Sequence, residues 1–226
     1  STDNGATWTA LPLGLNSGSP NIYLYSVATN NTGTWIAVAA SGYAARSTDN
    51  GATWSPLPVG LIENNPYLTV NTICESQKNG NTIVALVTGY SGTTIDGYAS
   101  RSTDGGNTWT ILPKGLNMVS TTAGFTWVAT DSAGVWVVVT DVGHASRSID
   151  NGVTWTALPP GLNSGLATAA FSSVATDGGG VWVAVAAAGR ASRSTDNGAT
   201  WTALPQGLNS GLATAAFSSV ATDGGG

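Results

Sequence analysis

Residues 47–54 read STDNGATW, and this eight-residue box recurs along the whole chain. Copies or close variants of it begin at residues 1, 47, 102, 148 and 194. Successive boxes therefore start 46, 55, 46 and 46 residues apart. A period of roughly 40–50 residues is typical of a propeller blade built from four strands. The spacing predicts an all-β fold, a β-propeller with blades of about 46 residues, as a single domain over residues 1–226.

The residues between two boxes carry four strand signals. In the last complete period, FSSVAT at 171–176 and VWVAVAA at 181–187 are apolar and rich in valine, which favours buried strands. Residues 190–195 and 201–204 supply two further short strands. The turn sequences DGGG, AG and DNG separate the four segments. We call these strands A to D, and expect each blade to be a four-stranded antiparallel sheet.

The register of the boxes predicts how many blades are present. The chain opens with a box and a strand D, continues with four complete sets of strands, and closes with a strand A. We therefore expect four full blades with partial blade strands at both ends. Because open strand edges are avoided in natural proteins, we expect a fragment of a longer propeller or repeat protein, or a ring completed by another subunit.

The box S-x-D-x-G-x-T-W resembles the Asp-box, or BNR repeat, of sialidase-like β-propellers. Its aspartate can accept hydrogen bonds from backbone amides of its own turn. Its glycine suits a positive φ, and its tryptophan offers a large apolar surface between blades. We assign these residues to structure rather than catalysis: Asp3, Trp8, Asp49, Trp54, Asp104, Trp109, Asp150, Trp155, Asp196 and Trp201.

Composition excludes several classes of function. Charged residues make up 8% of the chain and the net charge is −5, so a basic stripe for nucleic acid is not expected. No apolar run is long enough for a transmembrane helix. One cysteine and one histidine exclude a zinc site built from several such ligands. We expect no metal and no cofactor.

The resemblance raises the question of sialidase activity. Sialidases of this family use an arginine triad, a Tyr–Glu nucleophile pair and an aspartic acid. Here Glu63 and Glu75 are the only glutamates, and Arg190 is the only arginine outside the repeated register. The other four each precede a box: Arg46, Arg101, Arg147 and Arg193. We therefore expect no catalytic residues, while a sialidase-like glycoside hydrolase fragment stays as an alternative.

Differences among the repeats point to a binding face. In a four-stranded blade the boxes, which are C–D turns, lie opposite the B–C and D–A connections. On that second face, side chains able to stack on or hydrogen-bond a ligand replace one another after the B–C glycine. The candidate ligand-binding residues are Tyr43, Tyr98, His144 and Arg190, together with Asp141 and the strand-A residue Trp127.

These features favour a non-enzymatic surface-recognition or adhesion module that binds glycans through the B–C/D–A face. Weak sites repeated around a ring gain avidity without any strong single site. The expected partners are glycans or a cell-surface polysaccharide, and the expected location is extracellular, on a cell surface or a virion. A structural spacer in a larger assembly, such as a phage tail fibre or bacterial adhesin, is the other alternative.

Overall fold

The computed structural model describes residues 6–16, 21–30, 32–57, 69–75, 81–91, 94–118, 123–209 and 214–222. Within these ranges, sixteen strands form four antiparallel sheets, each with its four strands in chain order. Each sheet is one blade, so the all-β propeller architecture predicted from the repeat is confirmed. Short 3₁₀ turns follow strand D in several blades, and one includes Lys114–Asn117.

The strand bounds are as follows. Blade 1 contains β1 (Leu24–Thr29), β2 (Trp35–Ala39), β3 (Ala44–Ser47) and β4 (Ser55–Pro56). Blade 2 contains β5 (Thr69–Glu75), β6 (Ile83–Ser91), β7 (Thr94–Ser102) and β8 (Thr110–Ile111). Blade 3 contains β9 (Phe125–Thr130), β10 (Trp136–Thr140), β11 (Ala145–Ser148) and β12 (Thr156–Ala157). Blade 4 contains β13 (Phe171–Thr176), β14 (Trp182–Ala186), β15 (Ala191–Ser194) and β16 (Thr202–Ala203).

Strand A of each blade lies nearest the propeller axis. The first strands contact each other in sequence, β1 with β5, β5 with β9 and β9 with β13. The four sheets therefore succeed one another around the axis in chain order. Strand D, only two residues long, is the outermost strand and pairs with strand C alone.

The core lies between neighbouring sheets. One buried cluster joins Val84 and Leu86 of blade 2 to Phe125 and Trp136 of blade 3. Equivalent clusters lie between blades 1 and 2 and between blades 3 and 4. Because each B strand is apolar on both faces, one sheet contributes to the cluster on either side of it. One apolar B strand in each period is therefore enough to link the buried clusters into a continuous core.

The partial strands predicted at the two ends are not formed by the residues that the structure describes there. Residues 6–12 and 214–222 adopt no strand in the structure. In complete blades strand D pairs with strand C and strand A pairs with strand B, but these segments lie outside the four sheets. Without a ladder partner an extended segment cannot satisfy its backbone groups as a strand does. Phe217 still donates its amide to the Ala186 carbonyl, at 3.5 Å.

The insertion in the B–C connection of blade 2 lengthens a pair of strands. The seven additional residues near Tyr90–Asp96 lengthen β6 and β7, which pair as far as Ser91 and Thr94. Tyr98 therefore lies inside β7, opposite Val87, rather than just after a turn. The other residues aligned with it, Tyr43 and His144 among them, directly precede strand C. The insertion therefore extends the hairpin beyond Tyr98, which stays paired with Val87 in the strand ladder.

Candidate functional site

The Asp-box turns are closed by their own side chains. In the first box that the structure describes in full, the Asp49 carboxylate accepts the Ser47 hydroxyl at 2.7 Å, the Thr53 amide at 2.8 Å and the Thr53 hydroxyl at 2.6 Å. The Ser47 hydroxyl oxygen also accepts the Gly51 amide at 2.9 Å. The same bonds recur around Asp104, Asp150 and Asp196. The carboxylate oxygens are engaged in fixing the turn, while Asp3 lies outside the described residues.

These hydrogen bonds lower the pKa of the box carboxyls. At Asp49 the bond from the Thr53 hydroxyl is the largest cause, and the pKa falls to about 2. Burial raises the pKa of Asp104, but bonds from the Thr108 hydroxyl and amide outweigh it and bring the value to about 2. The other carboxyls with a lowered pKa are Asp150 and Asp196. All four are therefore ionised at neutral pH.

A dependence of stability on acid follows from these values. Unfolding returns Asp49 toward a pKa of 3.8, so the unfolded chain binds more protons between about pH 4 and pH 2. We expect the urea midpoint, read from tryptophan fluorescence, to fall across this window as pH decreases. Changing both Thr53 and Thr200 to valine removes two of these bonds and should make the fall smaller. An equal fall in the double variant would contradict this account.

The box tryptophans and the arginines before the boxes join neighbouring blades. Trp155 and Trp201 are 4% exposed and lie in the clusters shared with the preceding blade. Arg147 Nε donates to the Asn197 carbonyl of the next box at 2.8 Å. Arg46 and Arg101 make the same bond to Gly105 and Asn151. The Asp-box side of the propeller is thus structural in the four boxes that the structure describes in full.

The environment of Trp8 differs from the prediction that every box tryptophan packs between blades. We expected it, like the other box tryptophans, to pack between blades, but its side chain is 80% exposed. The reason is that its segment, residues 6–12, forms no strand in any sheet. The equivalent position in blade 1, Trp54, is 7% exposed because Leu15 packs beside it.

On the opposite face, blades 3 and 4 tie their B–C turn to the LPxGL loop, which follows strand D and covers residues 158–162 and 204–208. The Gly161 amide donates to the Gly143 carbonyl at 2.8 Å, and Gly207 donates to Gly189 at the same distance. In these two blades the bond brings to one edge of the propeller, called the rim, the two positions that vary among the repeats: the residue after the B–C glycine and the x of LPxGL. They are sixteen residues apart in every complete blade: 43 and 59, 98 and 114, 144 and 160, 190 and 206.

Tyr98 and Lys114 show this juxtaposition directly. The Lys114 ammonium lies 5.4 Å from the centre of the Tyr98 ring, within the range of a cation–π interaction. Tyr98 is half-buried and also packs against the cluster between blades 1 and 2. Lys114 was not among the predicted site residues. The constant offset of sixteen residues between the variable positions is the signal that could have identified it.

Arg190 lies under the loop that leads into blade 4. Its Nη1 donates to the Ser164 carbonyl at 3.4 Å. Its Nε and the Ser164 hydroxyl are both buried and have no hydrogen-bond partner among the described residues. The neighbouring Gln206 donates to the Ala188 carbonyl at 3.2 Å. Arg190 therefore lies on the predicted face but is partly covered by the loop.

The remaining candidates occupy different environments on the same half of the molecule. Asp141 accepts the Gly124 amide at 2.9 Å and so holds the loop entering blade 3. His144 is half-buried, with its amide donating to the Thr140 hydroxyl. Trp127 is 40% exposed on the axial strand β9. Tyr43 is half-buried beside β3. The structure thus separates Trp127, on the axis, from the residues of the rim.

Metal-ligand clusters and membrane-spanning helices are two other features that bear on function. Among the described side chains, no group of three or more His, Cys, Asp and Glu could hold a metal ion. Within the same ranges no helix is long and apolar enough to cross a membrane. Glu63 lies outside the described residues, and of Glu75 only the backbone, in β5, is described.

Comparison with known proteins agrees with this architecture. Residues 45–56 match the BNR/Asp-box repeat model. YCF48 bound to D1 peptide is 18% identical with a TM-score of 0.58, over 86% of this chain and 55% of that one. The GH74 xyloglucanase from Xanthomonas campestris is 16% identical with a TM-score of 0.59, over 82% and 30%. An ancestral GH74 enzyme is 16% identical with a TM-score of 0.66, over 90% and 27%.

These likenesses establish the fold. The chain spans about half the length of the YCF48 chain and less than a third of the two GH74 chains. No curated protein matches the sequence significantly. With five boxes in the sequence, and the geometry of four of them described, the chain carries the Asp-box repeat on a β-propeller.

Proposed function

We propose that this Asp-box β-propeller is a non-catalytic recognition module that binds glycans at the rim where B–C turns meet LPxGL loops. One observation carries the proposal. The backbone bond from Gly161 to Gly143, repeated from Gly207 to Gly189, holds the two variable positions of blade 3 and of blade 4 together on the same frame. Variable side chains presented by a rigid scaffold are the arrangement used by binding faces.

The side chains at this rim suit saccharides. Tyrosine rings present an apolar face with a polar edge. Lys114, over the Tyr98 ring, and Gln206 in blade 4 add hydrogen-bond donors at the rim. The rim carries little net charge, which suits neutral or weakly charged sugars. A xyloglucanase among the fold neighbours shows that proteins of this fold act on polysaccharides, which supports the choice of ligand class.

The proposal places the protein outside the cell, on a cell surface or a virion, where glycans are displayed. Repetition of the site in successive blades raises avidity for a surface that bears many copies of a sugar. A spacer role has the same fold but requires no ligand. A glycoside hydrolase would cleave its substrate. A binding assay therefore separates the proposal from a spacer role, and a hydrolysis assay separates it from a hydrolase.

The test is binding to a glycan array that includes neutral, amino and acidic sugars, followed by calorimetry. Tyr43→Ala, Lys114→Ala and Arg190→Ala are each expected to weaken binding about fivefold, as one lost hydrogen bond or stacking contact would. Thr195→Ala, an exposed change on the Asp-box side, is the matched control. Unchanged affinity in all three rim variants would refute the site.

Two further outcomes concern the function itself. Failure of every sugar to bind would overturn glycan recognition and favour a spacer or a protein ligand. Release of product from a sialoside or a xyloglucan would support the hydrolase alternative. Tyr98→Ala is a poorer probe than its sequence position suggests, because Tyr98 packs against the cluster between blades 1 and 2 and its loss will also lower stability.

A further inference from the structure

We propose that the box hairpin of blade 3, residues 148–154, is a docking site for a protein segment that carries apolar side chains next to lysine or arginine. This hairpin lies on the side of the propeller opposite the rim, so its use as a docking site does not depend on glycan binding. What distinguishes it from the equivalent hairpins of the other blades is the set of side chains that it exposes.

Two large apolar side chains are exposed on this hairpin. Ile149 is 65% exposed and Val153 is 53% exposed, one before and one after the turn residues 151–152. Blade 3 packs between blades 2 and 4, so this is not the exposure of an uncovered blade face. At the equivalent positions the other boxes have smaller or polar residues: Thr2 and Ala6, Thr48 and Ala52, Thr103 and Asn107, Thr195 and Ala199.

The fold of the hairpin does not require these two side chains. Residues 148–180 and 194–226 differ at three of 33 positions, and positions 149 and 153 are two of the three. Asp150 and Asp196 nevertheless close their turns with the same bonds, from a serine hydroxyl, a threonine amide and a threonine hydroxyl. The larger side chains of blade 3 therefore add apolar surface in contact with water, which is favourable only when a partner covers it.

Carboxylates surround the apolar pair. The Asn151 amide donates to the Gly134 carbonyl at 2.9 Å, which ties the box hairpin to the A–B turn of blade 3. That turn begins with Asp131, and the A–B turn of blade 4, which begins with Asp177, lies beside it. A Cβ built on Gly178 would lie 3.9 Å from the Asp131 carbonyl oxygen. Together with the carboxylate of the box, the two turns bring three negative charges to this surface.

Each of the three carboxylates keeps an oxygen that can accept a further bond. Asp131 uses Oδ1 to accept two amides of its own turn, at 2.7 and 2.9 Å, and Asp177 does the same at 2.7 and 3.0 Å. Within the described ranges, the Oδ2 atoms of these two residues accept no hydrogen bond, and Oδ2 of Asp150 accepts only the Thr154 hydroxyl. Since a carboxylate oxygen has two lone pairs, all three can bind a lysine or arginine of a partner.

The guanidinium groups of the neighbouring strands are already engaged. Arg101 Nε donates to the Asn151 carbonyl at 2.6 Å, and Arg147 Nε donates to the Asn197 carbonyl at 2.8 Å. Both side chains are half-buried, and the chain as a whole has a net charge of −5. The surface therefore favours a positively charged partner. It disfavours a second copy of this chain, which would bring its own carboxylates to the same place.

An apolar pair among carboxylates fits a segment with one or two apolar side chains and adjacent basic residues. Burial of the apolar side chains supplies most of the affinity, while the charges orient the segment and speed its association. Because the apolar patch consists of two side chains, we expect an interface at the small end of the range, below about 1,200 Å², and a transient complex.

A phage-displayed library of random dodecapeptides, selected on the immobilised chain, is the probe that tests the proposal. We expect the enriched peptides to combine apolar residues with lysine or arginine, and synthetic copies of them to bind more weakly as salt increases. The double variant Ile149→Thr, Val153→Ala gives blade 3 the box sequence of blade 4. By fluorescence anisotropy it should bind these peptides about tenfold more weakly, as loss of apolar anchors would. Thr195→Ala, an exposed change in the box of blade 4, is the matched control.

Asp131→Asn removes one charge and keeps the turn. The counterpart of Asp131 in blade 1 is Asn30, whose side-chain oxygen accepts the amides of Thr32 and Thr34 at 2.9 and 3.0 Å. An asparagine can therefore make the bonds that Asp131 makes in blade 3. We expect the affinity for the selected peptides to fall about threefold and to depend less on salt, because one charge pair is lost.

Four outcomes would overturn the proposal. They are a library without enrichment, equal binding of the selected peptides to the double variant, an affinity unchanged by Asp131→Asn, and a wild-type dimer in sedimentation velocity that the double variant loses. The last outcome would identify a second copy as the occupant. Each substitution at Asp131, Ile149 and Val153 introduces a residue that an equivalent position already carries. Circular dichroism should therefore show the wild-type fold, so a loss of binding reports the surface.

Discussion

Replacing Trp155 with alanine is expected to lower the free energy of unfolding by about 3–5 kcal/mol, the range for emptying a buried aromatic site. Trp155 is 4% exposed and lies in the cluster between blades 2 and 3. Its indole nitrogen donates to the Gly152 carbonyl at 3.1 Å, inside the box turn. Its own carbonyl accepts the Asn117 side chain at 3.0 Å, from the loop of blade 2.

The size of the effect comes from the cavity that alanine leaves. The substitution removes the ring that fills the space between two sheets, and the surrounding strands can collapse only partly around it. It also leaves the Gly152 carbonyl without the indole donor. The Asn117 bond, which is made to the backbone of residue 155, can persist. The cost is therefore mainly that of the unfilled space.

Urea denaturation followed by far-ultraviolet circular dichroism measures the change. Trp8→Ala removes the same side chain from a box with the same S-x-D-x-G-x-T-W pattern, but at a site that is 80% exposed. The control is expected to change stability by less than about 0.5 kcal/mol, as at other surface positions. Similar losses in the two variants would show that burial between blades does not explain the role of the box tryptophan.

The repeat was sufficient to predict the blades because it combines local signals. The strand predicted at 171–176 is β13 with the same bounds, and the strand predicted at 181–187 is β14 at Trp182–Ala186. Valine-rich runs and the DNG turns act over a few residues, so each copy of the repeat gives the same information again. Five copies made the assignment robust against local variation such as the insertion in blade 2.

Contacts between blades could not be predicted in the same way. The recurrence of Arg147 before its box suggested a structural role, but it did not show that Nε reaches Asn197 in the next blade. That partner is 50 residues away, slightly more than one period. Likewise the exposure of Trp8 depends on the strands around it and not on the box itself. Sequence periodicity defines a blade, while its neighbours are set by tertiary packing.

The residues of the rim could be predicted from the sequence, but their contacts could not. Both variable positions, Tyr98 and Lys114 in blade 2, could be found by comparing repeats, but their contact depends on how the turn at Lys114–Asn117 packs on β7. Arg190 was identified from sequence as a ligand-binding candidate, but the sequence did not show that its Nη1 donates to the Ser164 carbonyl. The loops at this rim pack on each other, and a repeat alignment contains no information about that packing.

Gly161→Ala is expected to destabilise the protein by about 2–5 kcal/mol and to weaken ligand binding at the rim. Gly161 has a φ of +62°, and a left-handed backbone costs a residue with a Cβ about 1–2 kcal/mol. A Cβ at this position would also lie 2.3 Å from the Leu166 carbonyl oxygen. Forcing extra atoms into a packed site costs about 1–3 kcal/mol more.

The clash matters because backbone, not a flexible side chain, is in the way. Relief requires the loop around Leu166 and Ala167 to move, and this loop leads into blade 4 past Arg190. The clash should also weaken the hydrogen bond from the Gly161 amide to the Gly143 carbonyl, which joins the two variable positions of blade 3. Stability and rim geometry should therefore change together.

Gly178→Ala is the matched control. Gly178 has a similar φ of +75°, but a Cβ there meets nothing closer than the Asp131 carbonyl oxygen at 3.9 Å. The control should therefore show only the backbone cost of about 1–2 kcal/mol and leave glycan affinity unchanged. Urea titrations and calorimetry on both variants separate the two contributions. If Gly161→Ala lost no more stability than Gly178→Ala, the tight packing of the LPxGL loop against residues 166–167 would be refuted.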